Sequence, residues 1–249
     1  MSKVTHIIFD MFNTLYRFDP ERETTQINAA KQIGLNISKE EIIEALNKAD
    51  IWFAKETSKN SMHLMKEKEK DLFYSNYEKT LFNYAGHKIT DKDSSILWNF
   101  VKNTKSSLKL FDDAESILSK LKNRNFSTGI ITNFDSDGSS LSKSLNLPNL
   151  IDHVITSKDA GASKPSKKIF DHSLKIMKIN TENCVFVGDQ IDTDIIGAQN
   201  ANIKPILIDR EDLYPEYKDC AVINNLNELL DVINSVSYTH LRAHETRPN

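Results

Sequence analysis

The 249-residue sequence has few cysteines and little net charge. Its two cysteines, Cys184 and Cys220, form neither a metal-binding spacing nor a disulfide framework, which indicates reduced thiols in a cytosolic protein. A formal net charge of −3 provides no long-range attraction to nucleic acid or to an anionic membrane. These features exclude a disulfide scaffold and predict no nucleic-acid partner.

Long apolar segments are missing as well. No apolar run approaches the ~18 residues of a membrane span, and the N-terminal stretch "MSKVTHIIFD" lacks the apolar region of a signal peptide. We therefore expect a cytoplasmic protein with no membrane partner. The overall composition, 39% hydrophobic and 27% charged, is that of an ordinary globular protein.

The C-terminal segment 235–249 is best kept apart from the fold. The stretch "SVSYTHLRAHET" (Ser235–Thr246) resembles the translation of a common transposase-based sequencing adapter. A polar, disordered terminus is the alternative. We expect the genuine chain to stop near Asn234, so His240 and His244 are not considered for any site.

Short apolar runs alternate with amphipathic helical patterns over much of the chain. Strands are predicted at "HIIF" (6–9), "STGIIT" (127–132), "HVIT" (153–156), "CVFVG" (184–188) and "PILI" (205–208). Amphipathic helices are predicted at 114–123, 167–177 and 227–234. This alternation favours an α/β fold with a doubly wound parallel sheet.

One region breaks the alternation. Between Arg17 and Lys105 no strand pattern is evident, and helices are predicted at 23–34, 38–56, 68–85 and 91–103. We therefore expect an α/β core formed by 1–16 and 106–234, with a helical domain of residues 17–105 inserted after the first strand.

Polar residues follow several of the predicted strands. They are Asp10, Thr132, Asn133, Lys164, Asp189 and Asp194. Each alone has an ordinary explanation, such as a helix cap or a solvated lysine. In a parallel sheet, however, the carboxyl ends of the strands meet at one edge, where ligands bind. We expect Asp10, Thr132, Lys164 and Asp189 to converge there, with the carboxylates of Asp10 and Asp189 within roughly 6 Å.

The expected cluster has a chemical consequence. Two adjacent carboxylates repel unless a cation lies between them. Oxygen ligands completed by water suit Mg²⁺, with no histidine or cysteine. A lysine and a hydroxyl group opposite the metal would form a pocket for an anion, most naturally a phosphoryl group.

Four motifs carry a family resemblance. "FDMFNTL", "IITN", "GASKPSKKIF" and "VFVGDQIDTDIIGAQNA" resemble, in order and spacing over residues 5–234, the four motifs of the haloacid dehalogenase-like (HAD) hydrolase superfamily. The resemblance implies a Rossmann-like core, identifies the helical insertion as a C1-type cap, and is strongest to Reg-2-like members.

The resemblance also implies roles for individual residues. Asp10 would be the nucleophile that forms an aspartyl-phosphate, with Lys164 offsetting the phosphoryl charge. Substrate or phosphate binding would involve Thr14, Thr132 and Asn133, with Thr14 also stabilising the loop after Asp10. Mg²⁺ would be held by Asp10, the backbone carbonyl of Phe12, Asp189 and Asp194, the last of which could instead orient Lys164.

Phe12 departs from the pattern of HAD phosphatases, which carry an aspartate at this position as general acid and base. An aromatic residue there is typical of 2-haloacid dehalogenases, although the intact Gly188-Asp189 pair favours metal binding. Three hypotheses follow: a Mg²⁺-dependent phosphatase of small phosphate esters, a dehalogenase-type enzyme, and a HAD-fold binding or regulatory protein with negligible turnover. The sequence predicts neither the substrate nor the oligomeric state.

Overall fold

The computed structural model describes residues 4–59, 62–145 and 150–234, so the tail assigned to 235–249 lies outside the described residues. Its strands are β1 (His6–Phe9), β2 (Tyr16–Asp19), β3 (Ser107–Leu110), β4 (Ser127–Thr132), β5 (His153–Thr156), β6 (Cys184–Gly188), β7 (Lys204–Ile208) and β8 (Ala221–Ile223). Six of them form one sheet in the order β5-β4-β1-β6-β7-β8. Every pair in it is parallel, which confirms the predicted α/β fold.

Strand β1 lies at the centre of this sheet, between β4 and β6. Phe9 is level with Ile130 of β4 on one side and with Val187 of β6 on the other. The chain order of the strands reverses at β1, which is where open α/β sheets bind their ligands. The sheet therefore brings the residues after β1, β4 and β6 to one edge.

Helices occur at all the predicted positions. They are α1 (Arg22–Lys31), α2 (Lys39–Lys59), α3 (Glu67–Tyr84), α4 (Asp91–Asn103), α5 (Asp112–Asn123), α6 (Gly138–Ser144), α7 (Ser157–Ala160), α8 (Lys167–Met177) and α9 (Ile196–Asn200). The three short helices α6, α7 and α9 were not predicted. The last predicted helix begins as a 3₁₀ turn, Leu226–Glu228, and continues as α-helix over 229–234. Among the described residues, no helix is both long and apolar enough to cross a membrane.

The core of the α/β fold forms where an amphipathic helix covers the sheet. Ile169, Phe170 and Met177 of α8 are buried in one cluster with Ile8 and Phe186 from the two central strands. The rings of Phe170 and Phe186 meet edge to face, with centroids 5.3 Å apart. This packing fixes the strands whose ends carry the candidate site.

The chain divides into two compact units. One contains the chain up to Tyr16 and from Leu110 onward, and the other is Arg17–Lys109. The second unit contains α1–α4, which bury a separate apolar core that includes Ala29, Ile42, Leu81, Phe82 and Leu97. Each unit therefore has its own core.

The expectation that no strand occurs between Arg17 and Lys105 is wrong in one detail. Strand β2 includes Arg17–Asp19 and pairs with β3 in a separate two-stranded sheet. A four-residue strand such as "YRFD" presents only two side chains to each face, which is too few for a periodic signal. The three-residue β8 was missed for the same reason.

Candidate active site

Asp10 follows β1 directly, and the sheet fixes its position. Its backbone N–H donates to the carbonyl of Val187 on β6, at 2.8 Å. The side chain is buried, with 10% of its surface exposed. A buried carboxylate requires a partner to offset its lost hydration.

Lys164 is that partner, and it serves a second carboxylate as well. Its Nζ donates to Oδ1 of Asp10 at 2.5 Å and to Oδ1 of Asp194 at 2.6 Å. Asn133 holds the lysine backbone from both sides, because its Oδ1 accepts from Lys164 N at 2.7 Å and its Nδ2 donates to Lys164 O at 3.0 Å. The amide of Asn133 therefore positions the lysine.

Asp189 and Asp194 complete the cluster beyond the end of β6. One carboxylate oxygen from each of Asp10, Asp189 and Asp194 lies within 4.8 Å of the other two. The π-helical turn Ile191–Ile195 carries Asp194, whose Oδ2 accepts from the backbone N–H of Gln190 at 3.1 Å. A Cβ on Gly188 would lie 2.5 Å from Asp194 Cγ, so glycine leaves the space that this carboxylate occupies.

Burial and charge oppose each other in this cluster. Burial raises the pKa of Asp10 to about 6, although Lys164 opposes the rise and Asp194 adds to it. Burial would by itself lower the pKa of Lys164, but its two carboxylate partners together raise that pKa above its usual value. At neutral pH the cluster therefore contains a charged ammonium group and an ionised Asp10.

The donor set suits a hard divalent cation. The cluster contains three carboxylates and one ammonium group, so the formal charges leave an excess of negative charge. All three offer oxygen, the ligand atom that hard divalent cations prefer. The predicted convergence of Asp10, Lys164 and Asp189 is confirmed, including the expected approach of the two carboxylates.

A family model for haloacid dehalogenase-like hydrolases matches residues 4–202. The chain belongs to this family. A glyceraldehyde 3-phosphate phosphatase of Methanocaldococcus jannaschii is 29% identical over 248 residues, which cover 92% of this chain and 97% of that protein. A ribulose-1,5-bisphosphate 5-phosphatase of Halopiger xanaduensis is 24% identical, with 92% and 99% covered.

A solved structure shows the same fold. The HAD-hydrolase YfnB of Bacillus subtilis, described as bound to magnesium, superposes with a TM-score of 0.65 at 18% identity and covers 94% of this chain and 100% of its own. The superfamily resemblance is thus confirmed and the chain is a hydrolase, while the Reg-2-like affinity stays a prediction.

The two threonines implicated by the HAD motifs are both buried. Thr132 ends β4, two residues beyond Ile130, which pairs with Phe9 of β1. Thr14 lies in the loop after Asp10, and its Oγ1 makes no hydrogen bond to any residue that the structure describes. Their roles in binding substrate stay predictions.

Phe12, where HAD phosphatases carry aspartate, belongs to an aromatic pair. Its ring centroid lies 5.8 Å from that of Phe134, with the planes tilted by 47°. Phe134 follows Asn133 and is exposed, and its carbonyl accepts from Ser157 Oγ at 3.2 Å. An aromatic contact thus occupies the position where HAD phosphatases carry an acid.

Sequence reasoning missed two polar residues in this region. Asn13 has a left-handed backbone (φ 55°) and donates from Nδ2 to Asp189 Oδ2 at 3.3 Å. Asparagine is among the few residues that adopt this conformation readily, which is a weak signal in the sequence. Arg210, two residues after the end of β7, donates to the carbonyls of Asn13 and Thr14.

Proposed function

We propose that this hydrolase is a Mg²⁺-dependent phosphatase that acts on small phosphate esters through an aspartyl-phosphate on Asp10. The observation that carries the proposal is the buried Asp10–Lys164–Asp194 arrangement with Asp189 alongside it at the carboxyl edge of the sheet. The two relatives named as phosphatases, whose names specify small phosphate esters, support it.

In the first chemical step, the Asp10 carboxylate attacks phosphorus. A bond forms between its oxygen and the phosphoryl group, the ester P–O bond breaks, and the leaving oxygen takes a proton from water. A second water molecule then attacks the phosphorus of the aspartyl-phosphate, which releases phosphate and restores Asp10.

The surrounding residues stabilise the charge of the transferred group. Lys164 places an ammonium group beside Asp10, where negative charge develops. The hydroxyl group of Thr132 would donate to a phosphoryl oxygen. Bound Mg²⁺, held by Asp10, Asp189, the carbonyl of Phe12 and Asp194, would neutralise the phosphoryl oxygens.

Phe12 limits the proposed chemistry. A phenyl ring donates no proton, and loss of a general acid–base typically costs about 10²–10⁴ in rate. The enzyme should therefore favour esters whose leaving oxygen is weakly basic.

We further propose that residues 17–105 serve as the cap domain, which selects the substrate, and that residues 1–16 and 106–234 form the catalytic core. The support is the independent apolar core of the helical unit Arg17–Lys109. Exchange of this unit for that of a HAD relative should change substrate preference and leave phosphorylation of Asp10 possible.

The direct test measures phosphate release from glyceraldehyde 3-phosphate, ribulose 1,5-bisphosphate and p-nitrophenyl phosphate, with Mg²⁺ and with a chelator. We expect release that requires Mg²⁺ and a phosphorylated peptide containing Asp10 in quenched reactions. Asp10→Asn is the matched control, since it keeps the shape of the side chain, and it should reduce turnover by at least about 10³-fold.

The same assay decides between the alternatives. Halide release from 2-chloropropionate without phosphate release would identify a dehalogenase-type enzyme, for which the aromatic Phe12 is the supporting observation. Neither product from any substrate would contradict the proposal and favour a binding or regulatory protein.

A further inference from the structure

Arg210 uses most of its guanidinium group on two distant parts of the α/β unit. Nη1 and Nη2 donate to the two carboxylate oxygens of Asp113 at 2.9 and 3.0 Å. Nε donates to the carbonyl of Asn13 at 3.1 Å, and Nη2 to the carbonyl of Thr14 at 2.8 Å. The side chain therefore joins α5 to the loop that follows Asp10.

The elements that hold Arg210 are themselves fixed. Asp113 also accepts from the backbone N–H of Leu226 at 2.8 Å. The guanidinium carbon lies 3.8 Å from the ring centroid of Phe111. Asp113 contacts the edge of the guanidinium group and the Phe111 ring contacts its face. These two contacts fix the orientation of the group independently of its hydrogen bonds to the loop.

The loop over residues 11–16 has a shape of its own. The carbonyl of Met11 accepts from the N–H groups of Leu15 and Tyr16, and Asn13 N donates to the carbonyl of Tyr16. These internal hydrogen bonds set the conformation of the loop, while Arg210 ties it to the end of β7.

The loop leads from Arg210 to the candidate metal site. Asn13, whose carbonyl Arg210 holds, donates from its side chain to Oδ2 of Asp189. A change in the position of this backbone would move both the amide that orients Asp189 and the carbonyl of Phe12 one residue earlier.

We propose that Arg210 is a positioning residue for cation binding, which anchors the loop over residues 11–16 so that Asn13 orients the carboxylate of Asp189. This inference rests on the proposed function for the identity of the cation. It assigns no contact between Arg210 and the cation or the substrate.

The fork of the guanidinium group is essential to this role. One planar group satisfies a carboxylate and two carbonyls at once, and a lysine ammonium group on a flexible stem does not reproduce that arrangement. Arg210→Lys keeps the charge and removes the fork, so it separates geometry from electrostatics.

The test measures Mg²⁺ binding by calorimetry, without substrate, in the wild type, Arg210→Gln, Arg210→Lys and Asp189→Asn. Groups that orient metal ligands typically contribute about 10–100-fold in affinity. We expect both Arg210 variants to bind Mg²⁺ about 10-fold more weakly, and amide hydrogen exchange over residues 11–16 to become faster in both. The loss of calorimetric signal in Asp189→Asn shows how much of the Mg²⁺ binding occurs at the carboxylate cluster.

Arg22→Gln in the helical unit is the matched control. Arg22 also forms a two-pronged pair, with both oxygens of Asp50 at 2.7 Å, and its loss removes a similar interaction far from Asp189 in sequence. We expect this variant to lower the melting temperature while leaving Mg²⁺ affinity and the exchange of residues 11–16 unchanged.

The outcomes separate the two proposals. Wild-type affinity and exchange rates in Arg210→Gln, or restored affinity in Arg210→Lys, would overturn the role of Arg210. A wild type that binds no Mg²⁺ would instead overturn the metal in the proposed function. Exchange rates over residues 11–16 would still show whether Arg210 anchors the loop.

Discussion

Each of the two units buries carboxylate groups, and the two units compensate them differently. In the α/β unit, Asp10 and Asp194 share the ammonium group of Lys164. In the helical unit, Glu78 on α3 is 1% exposed and accepts from the neutral amide of Gln26 on α1, at 3.1 Å. One site uses a cation and the other a neutral donor.

Two oxygens of the Gln26–Glu78 pair receive no hydrogen bond from the described part of the chain. Oε1 of Gln26 and Oε2 of Glu78 are buried and accept no hydrogen bond from any residue that the structure describes. Burial raises the pKa of Glu78 to about 7, although the Gln26 hydrogen bond and the charge of Arg22 oppose the rise. A proton on Glu78 would supply a donor and remove the buried charge.

The contrast shows that the partner of a buried carboxyl group determines whether that group stays ionised. A protonated carboxyl group packs well but is a poor metal ligand and a poor nucleophile. A carboxylate paired with an ammonium group stays ionised and available for chemistry. The arrangement in the α/β unit is therefore that of a reactive site, and the arrangement in the helical unit is that of a folded core.

The largest effect should come from removing the ammonium group of Lys164. Lys164→Met leaves Asp10 and Asp194 buried beside each other without compensation, and breaking a buried pair in this way costs about 3–5 kcal/mol. Loss of the Lys164 ammonium group raises the pKa of Asp10 further above its unfolded value, so the destabilisation should shrink as pH falls toward ~4. Chemical denaturation at several pH values measures it.

Lys167→Met is the control for that experiment. Lys167 forms an exposed pair with Asp171 on the same segment, and such pairs contribute at most about 1 kcal/mol. Equal losses of stability in the two variants would contradict the assignment of Lys164 as the compensating charge of the cluster.

The next largest effect is the pH dependence of stability that arises from Glu78, which is paired with the neutral amide of Gln26. Because the folded pKa of Glu78 is raised from 4.5 to about 7, folding binds a proton over this range. Its contribution to stability is complete below about pH 4.5 and is lost as pH rises to about 7, by up to about 3 kcal/mol. Glu78→Gln should therefore be more stable than the wild type at pH 8 and similar to it at pH 4.5.

Glu44→Gln controls for the loss of one carboxylate from the helical unit. Glu44 is exposed on α2 and pairs with Lys48 one turn later, so its replacement should change stability by less than about 0.5 kcal/mol at either pH. If Glu78→Gln and the wild type show parallel stability curves from pH 4.5 to 8, Glu78 is not the titrating group.

The fold was largely predictable because most strands of the main sheet contain a short apolar run that alternates with helical patterns. "HIIF", "STGIIT", "HVIT" and "CVFVG" end where the strands end. Short strands with one partner, β2, β3 and β8, gave no such signal. The pairing of Gln26 with Glu78, which are 52 residues apart in sequence, was equally unpredictable because it depends on how α1 and α3 pack together.

The candidate site followed from one rule, that polar residues after parallel strands meet at one edge. The rule found Asp10, Asp189 and Lys164, and applied to "PILI" it would also have found Asp209 and, one residue later, Arg210. It could not have shown that Asn133 holds the lysine backbone. Such contacts depend on side-chain directions that strand patterns do not specify.

The smallest and most specific effect is expected from a substitution that adds a carboxylate to the charged cluster. Phe12→Asp places a proton donor where HAD phosphatases carry one. The leaving oxygen of an alkyl phosphate is strongly basic and needs that proton, whereas p-nitrophenolate needs it far less. We expect kcat/KM to rise by up to about 10²-fold for an alkyl phosphate and much less for p-nitrophenyl phosphate.

The added charge should also make the gain depend on the cation. A fourth acidic side chain, close in sequence to Asp10, disfavours ionisation of the carboxyl groups around it, so the improvement should be largest at saturating Mg²⁺. Phe12→Asn is the matched control, because it removes the ring that contacts Phe134 and offers no acid. If Phe12→Asn gives the same gain, or if both variants lose activity on both substrates, Phe12 acts by packing and its loss opens a cavity. Halide release by the wild type, lost in both variants, would instead show that the ring belongs to a dehalogenase site, where the halide leaves without a proton.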